Sequence, residues 1–196
     1  MSLRNELMRF ASLPGAARRR QIFMTILPMI LMASTMISAL SIGETLPPLK
    51  GEFLTGRPAQ LPDAASGRVA LLALGFTYDS RFPVEAWIGR FRREFGRNPE
   101  VTFYEIPMIG GMARLGKWFI DSGMRKGTPR SDRENVITVY GGTDSWKQRM
   151  GFQSPDAAYL VLLDKHGAVR WRHSGAFDED AYKDLSVHVS ALLREP

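Results

Sequence analysis

The chain of 196 residues is 44% hydrophobic and 23% charged with a formal net charge of +6, the balance of one globular domain behind a leader and not of a disordered chain. It contains no cysteine, which excludes disulfides, thiolate nucleophiles, iron–sulfur clusters and cysteine-ligated zinc. Much of the basic excess sits in residues 1–21, where Arg4, Arg9, Arg18, Arg19 and Arg20 face Glu6 alone. No basic stripe interleaved with aromatics follows, so nucleic acid is not an expected partner.

Behind this basic leader, residues 22–42 (IFMTILPMILMASTMISALSI) carry no charge, a length that crosses a hydrocarbon core as a helix. Two readings stay open. The segment is a transmembrane anchor, or it is the apolar core of a signal peptide with Ala39 and Ser41 in an A-x-S arrangement suited to cleavage. Arg18-Arg19-Arg20-Gln21-Ile22-Phe23 also resembles a twin-arginine export signal, and the Arg-rich, acid-poor start is compatible with a mitochondrial presequence. Arginines held on the cytoplasmic or matrix side place the C-terminal part across the membrane, facing the periplasm if the source is bacterial. Residues 43–67, rich in Pro, Gly and Ala, read as an extended linker, and the folded domain is expected over residues 68–196.

In that domain Arg68–Thr77 (RVALLALGFT) is an almost unbroken apolar run, as a buried central strand requires. After Pro83, Val84, Trp87, Ile88, Phe91 and Phe95 recur at helical spacing with Arg90, Arg92 and Arg93 between them, predicting an amphipathic helix with solvated arginines. Val101–Ile106 reads as a second strand, and Met112–Ser122 as a second helix with Met112, Leu115 and Phe119 on one side. Val136–Tyr140 reads as a third strand, followed by a short helix around Trp146–Met150. Ala157–Leu163 and Ala168–His173 form a hairpin through Asp164-Lys165-His166-Gly167, with Gly167 free to take a positive φ. A last helix starts at Asp178 as N-cap and carries Tyr182, Leu185, Val189 and Leu192 on one face. This order predicts an α/β fold: a central mixed sheet flanked by helices and closed by a β-hairpin and a helix.

Candidate chemistry is sparse. Gly111-Met112-Ala113-Arg114-Leu115-Gly116-Lys117 matches the first seven positions of a phosphate-binding loop, but Trp118 stands where a hydroxyl would hold magnesium. His166, His173 and His188 lack the spacing of a metal cluster, so neither a metal nor a cofactor is expected. Asp79 with Ser80, and Asp164 with His166, lack the third partner of a nucleophile system, and turn chemistry accounts for them. Trp87, Trp118, Trp146 and Trp171 fall in separate elements, which suits core packing; an exposed one would mark a partner surface.

The junction Gly75-Phe76-Thr77-Tyr78-Asp79-Ser80-Arg81-Phe82-Pro83, the Ser154-Pro155 before the fourth strand and the hairpin LLDKHGAVRW resemble the thioredoxin-like superfamily. The resemblance implies that Tyr78–Phe82 takes the place of the CxxC pair without a thiol, with Pro155 as the facing cis-proline. More narrowly, Ile120–Gly127 (IDSGMRKG), Glu134–Tyr140 (ENVITVY) and Leu162–Trp171 resemble the mitochondrial ATP synthase assembly factor family called ATPase complex subunit ten, over roughly Arg68 to the C-terminus. That implies a non-enzymatic, membrane-associated factor assisting assembly of the proton-channel sector of ATP synthase, at the mitochondrial inner membrane in a eukaryote. The expected partner is a membrane-protein client, an ATP synthase membrane subunit. Its candidate surface is Tyr78, Asp79, Arg81, Phe82 and Pro155, where backbone beside a cis-proline pairs with an extended peptide. Two alternatives remain: a redoxin-superfamily enzyme with non-thiol chemistry, which needs a pKa-shifted cluster in a cleft, and a tethered structural domain without a client.

Overall fold

A computed structural model describes residues 38–195, apart from the side chains of residues 112–114. The basic leader, the apolar segment up to residue 37 and the side chain of Met112 lie outside the described residues. Among the described residues, no helix is long and apolar enough to cross a membrane.

The elements run β1 (Leu49–Phe53), β2 (Pro58–Leu61), β3 (Val69–Gly75), α1 (Arg81–Phe95), β4 (Val101–Pro107), α2 (Lys117–Gly127), β5 (Ile137–Thr138), α3 (Thr143–Met150), β6 (Ala158–Leu163), β7 (Val169–Gly175) and α4 (Glu179–Leu192). The main sheet has the order β4-β3-β6-β7, with β3 parallel to β4 and antiparallel to β6. β3 and β6 lie in its middle with both faces covered, which is why their sequences are apolar without alternation. One face packs against α1 and α4 through Trp87, Phe91, Tyr182, Leu185 and Val189. The other packs against α3 and the segment before β3 through Leu46, Leu49, Leu61, Trp146 and Met150.

The stretch expected to be a linker is part of the domain. β1 pairs antiparallel with β2 and with β5 in a second sheet of order β2-β1-β5. Its prolines and glycines punctuate short strands instead of loosening the chain. Pro58 sits on the edge strand, where a missing donor costs no ladder bond. Gly51 lies where a Cβ would come within 2.6 Å of the Ile137 side chain. Between them Leu46, Leu49, Leu54 and Leu61 are buried, each worth roughly 1.5–3 kcal/mol of transfer free energy. The fold reaches back further still. Leu40 is 1% exposed, its amide donates to the Arg149 carbonyl at 2.9 Å, and the Arg172 guanidinium donates to its carbonyl. Gly43 and Leu46 amides then donate to the carbonyls of Val169 and Gly167.

Two other elements differ from expectation. The third strand shrinks to Ile137–Thr138 on β1, while Val136 and Val139 bridge to β4, so the segment divides its bonding between two sheets. The second helix is displaced: Gly111–Gly116 is a 3₁₀ turn, and α2 starts only at Lys117. The closing hairpin and helix are where the sequence puts them, with Gly167 at φ +81° and the Asp178 carboxylate accepting from the Ala181 amide at 2.8 Å. The Asp164 carboxylate accepts from the amides of His166 and Ala168 and from Arg170. Burial alone would raise this carboxyl; those donors outweigh it and hold the pKa below the ordinary value.

Candidate functional site

α2 is folded inside out. Lys117, Asp121 and Arg125 lie at i, i+4 and i+8, one stripe of the helix, and the stripe faces the protein. Asp121 is 3% exposed; Lys117 Nζ lies 2.5 Å from its Oδ2 and 3.1 Å from Glu52 Oε1, and the Tyr140 hydroxyl donates to its Oδ1 at 2.6 Å. Burial first, then this bond, push the Tyr140 phenol well above its usual range. Burial pulls the Lys117 ammonium down, but the two carboxylates outweigh it, so its pKa rises. Arg125 Nε donates to the Leu54 carbonyl at 2.8 Å, and Arg133 donates to the carbonyls of Arg125 and Thr128 at the C-terminal end of the helix.

With that charged stripe turned inward, α2 shows Trp118 and Phe119 to solvent, and the turn before it shows Leu115. Leu115 is 81%, Trp118 70% and Phe119 75% exposed, and the two aromatic rings pack edge to face at 4.8 Å. The expectation that Leu115 and Phe119 form core is thus corrected: ion pairs around the buried Asp121 take the inner side of α2, Phe119 lies on its outer side, and Leu115 is exposed in the turn before it. Trp87, Trp146 and Trp171 are buried as expected, and Trp118 is the exposed tryptophan. Lys117, the lysine of the partial phosphate-loop match, is taken up by Glu52 and Asp121.

Between α2, the start of α1 and the end of β4 lies a cleft of about 790 Å³, within the range of ligand-sized sites. Gly123 and Gly127 keep its α2 wall low, since a Cβ on either would meet nothing within 4 Å. The walls are otherwise mainly apolar, with Ile106, Met108, Phe119 and Met124 among them. Glu105 reaches into the cleft from β4, on the strand face it shares with Val101 and Phe103. Burial, with Glu85 as a like charge, pushes its carboxyl up to about 7. Ser80 also lines the cleft, but its hydroxyl donates to the Thr77 carbonyl at 2.7 Å and accepts from the Thr77 amide at 3.2 Å.

The residues singled out from sequence divide. Tyr78 and Arg81 line the cleft, and the Arg81 guanidinium stacks 4.3 Å from the Tyr78 ring and 4.5 Å from that of Phe82, joining three exposed side chains at one rim. Asp79 is exposed at the start of α1, its carbonyl accepting from the Phe82 amide at 3.2 Å. Pro155 is not in a cis peptide; among the described residues the cis bond is Leu61–Pro62. Its carbonyl accepts from the Thr77 hydroxyl at 2.7 Å, and Pro155 does not line the cleft. Glu105, Gly123, Gly127 and the outward Leu115, Trp118 and Phe119 were not among the predicted site residues. A lone acid in the apolar strand VTFYEIP and the G-x-x-x-G of α2 were the available signals.

The sequence model of the ATP10 protein family matches residues 41–192. The chain belongs to this family. Its members are ATP synthase assembly factors, and the ATP10 match includes the N-terminal hairpin together with the rest of the fold. No curated protein matches the chain. Solved structures give the fold. A putative protein disulfide isomerase from Bacteroides thetaiotaomicron is 17% identical with a TM-score of 0.55, covering 80% of this chain and 92% of that one. A putative thiol:disulfide interchange protein from Chlorobium tepidum is 17% identical with a TM-score of 0.52, covering 79% and 99%. The thioredoxin domain of a thiol-disulfide oxidoreductase from Bacteroides vulgatus is 16% identical with a TM-score of 0.51, covering 77% and 99%. The ATP10 chain is therefore a thioredoxin-like α/β domain with a mixed sheet and flanking helices, and it carries no cysteine with which to perform thiol exchange.

Proposed function

We propose that this ATP10 protein is a non-enzymatic, membrane-associated assembly factor that holds an ATP synthase membrane subunit on the outward face of α2 and the adjoining cleft. Family membership supports the role in ATP synthase assembly and the mitochondrial inner membrane as its place, in preference to a periplasm-facing one. The observation that carries the docking surface is the inversion of α2. Trp118 and Phe119 are held in water by ion pairs on the far side of their own helix, and Leu115 of the preceding turn lies exposed beside them, a costly arrangement unless a partner covers them. The rim of Tyr78, Arg81 and Phe82 continues that surface, with Asp79 beside it. Pro155 stands apart.

Leu40 favours the anchor reading of residues 22–42 over a signal peptide cleaved after Ser41. Such cleavage would strip a buried leucine and its two backbone bonds from the folded domain. The N-terminal sequence of the mature protein tests this: a start upstream of Leu40 is expected, and a start at Ile42 overturns it.

The docking surface is tested by photo-crosslinking from position 118 in native membranes, with full-length chain and a Leu115→Ser, Phe119→Ser variant that keeps the probe in place. Capture of an ATP synthase membrane subunit by the parent chain, lost in the variant, is the expected result. Capture that survives the double change, or capture of no such subunit, removes this reading.

A further inference from the structure

We infer that the cleft receives an apolar segment of the client that carries one basic side chain, and that its cation meets Glu105. This rests on the docking reading above and names the chemistry of the partner. Charge complementarity carries it. Among the described residues no hydrogen bond or ion pair reaches the Glu105 carboxylate, although it lies largely out of water in a mainly apolar cleft. A second carboxylate, Glu85 of α1, lines the same cleft and adds like charge.

Among the described residues the nearby cations have partners of their own, although Arg92 also draws the Glu105 pKa down. Arg92 of α1 is paired at 2.6 Å with Asp132, itself a further negative charge acting on Glu105. Arg81 lies against the rings of Tyr78 and Phe82 at the rim. A neutral apolar segment would fill the cleft and leave Glu105 sealed without a partner; an acidic one would add a third carboxylate. A lysine or arginine has an apolar stem for the walls and a charged head for the floor. Its arrival would draw the proton from a carboxyl whose pKa stands at about 7, converting a strained acid into one half of an ion pair. The open space over Gly123 and Gly127 gives the stem its way in.

The test uses the full chain in lipid nanodiscs and three benzophenone-labelled apolar helical peptides, identical but for a central Lys, Met or Glu. The expected order of crosslinking affinity is Lys, then Met, then Glu, with Lys about tenfold tighter than Met. In Glu105→Gln the Lys and Met peptides become equal while Met binding is kept. Equal binding of Lys and Met to the parent chain, or a Lys preference that survives Glu105→Gln, overturns the inference and leaves the docking surface standing. If no peptide binds, the inference falls, and the membrane crosslinking from position 118 decides separately whether the docking surface falls with it.

Discussion

α1 and α2 are both amphipathic, both carry aromatics on one side and cations on the other, and they are mounted in opposite senses. In α1, Val84, Trp87, Ile88 and Phe91 are buried, while Arg90 pairs at the surface with Glu94 and Arg92 with Asp132. In α2 the charged stripe is inside and the aromatics are outside. A hydrophobic period reports that a helix has two faces; which one turns inward depends on what the rest of the fold offers it. The main sheet offers α1 an apolar face. The N-terminal sheet offers α2 the Glu52 carboxylate and the Leu54 carbonyl, with Tyr140 beside them.

The comparison is broken most directly by removing one tryptophan from each helix. Trp87 is fully buried against Trp171, Phe177 and Tyr182, so Trp87→Ala is expected to cost about 3–5 kcal/mol in urea unfolding. Trp118→Ala is expected to cost no more than about 0.5 kcal/mol while reducing client crosslinking. Equal costs would mean that α2 is not mounted as described. Next comes the inward stripe. Asp121→Ala leaves the Tyr140 hydroxyl and the Lys117 ammonium without their shared acceptor, for a loss of about 2–3 kcal/mol, limited because Lys117 still reaches water.

A smaller effect has a pH signature. The Glu105 carboxyl is raised in the folded state, so the stability tied to its proton is full below the ordinary carboxylate range and is lost as pH rises through about 7. Glu105→Gln should therefore stabilise the free protein by roughly 1–3 kcal/mol at pH 8 and have little effect near pH 4, measured by urea midpoints. A variant with the same increment at both pH values would show that Glu105 does not titrate in this window. Smallest is Gly123→Ala, which fills open space in mid-helix and should stabilise α2 by about 0.5–1 kcal/mol. A destabilised Gly123→Ala would mean that the cleft closes on α2 in the free protein.

The main sheet was legible because its central strands β3 and β6 are buried on both faces and leave long apolar runs, and the closing hairpin because Asp164 and Gly167 are turn chemistry of known form. The N-terminal hairpin was not. Leu46, Leu49, Leu54 and Leu61 stand singly among prolines and glycines, and strands of five and four residues leave too short a pattern for alternation to register. The cleft was half legible. Tyr78 and Arg81 reach its lining from the junction, whereas Glu105 stands out only once the fold sets it in one cleft with Gly123 and Gly127. The cis geometry expected at Pro155 is absent; the sequence shows a proline before a strand, not the conformation of its peptide bond.

The burial of Leu40 bears on reach as well as on processing. The uncharged run and the folded domain share Leu40 to Ile42, so an anchor made of that run would leave almost no slack between bilayer and fold. If that run is an anchor, a docking surface on so short a leash would not search the bulk solution; it would patrol a layer a few nanometres deep, where the local concentration of a bilayer-embedded client would be set by lateral density. Weak contacts would suffice for capture there, and the same weakness would let the client leave once it has found its final neighbours.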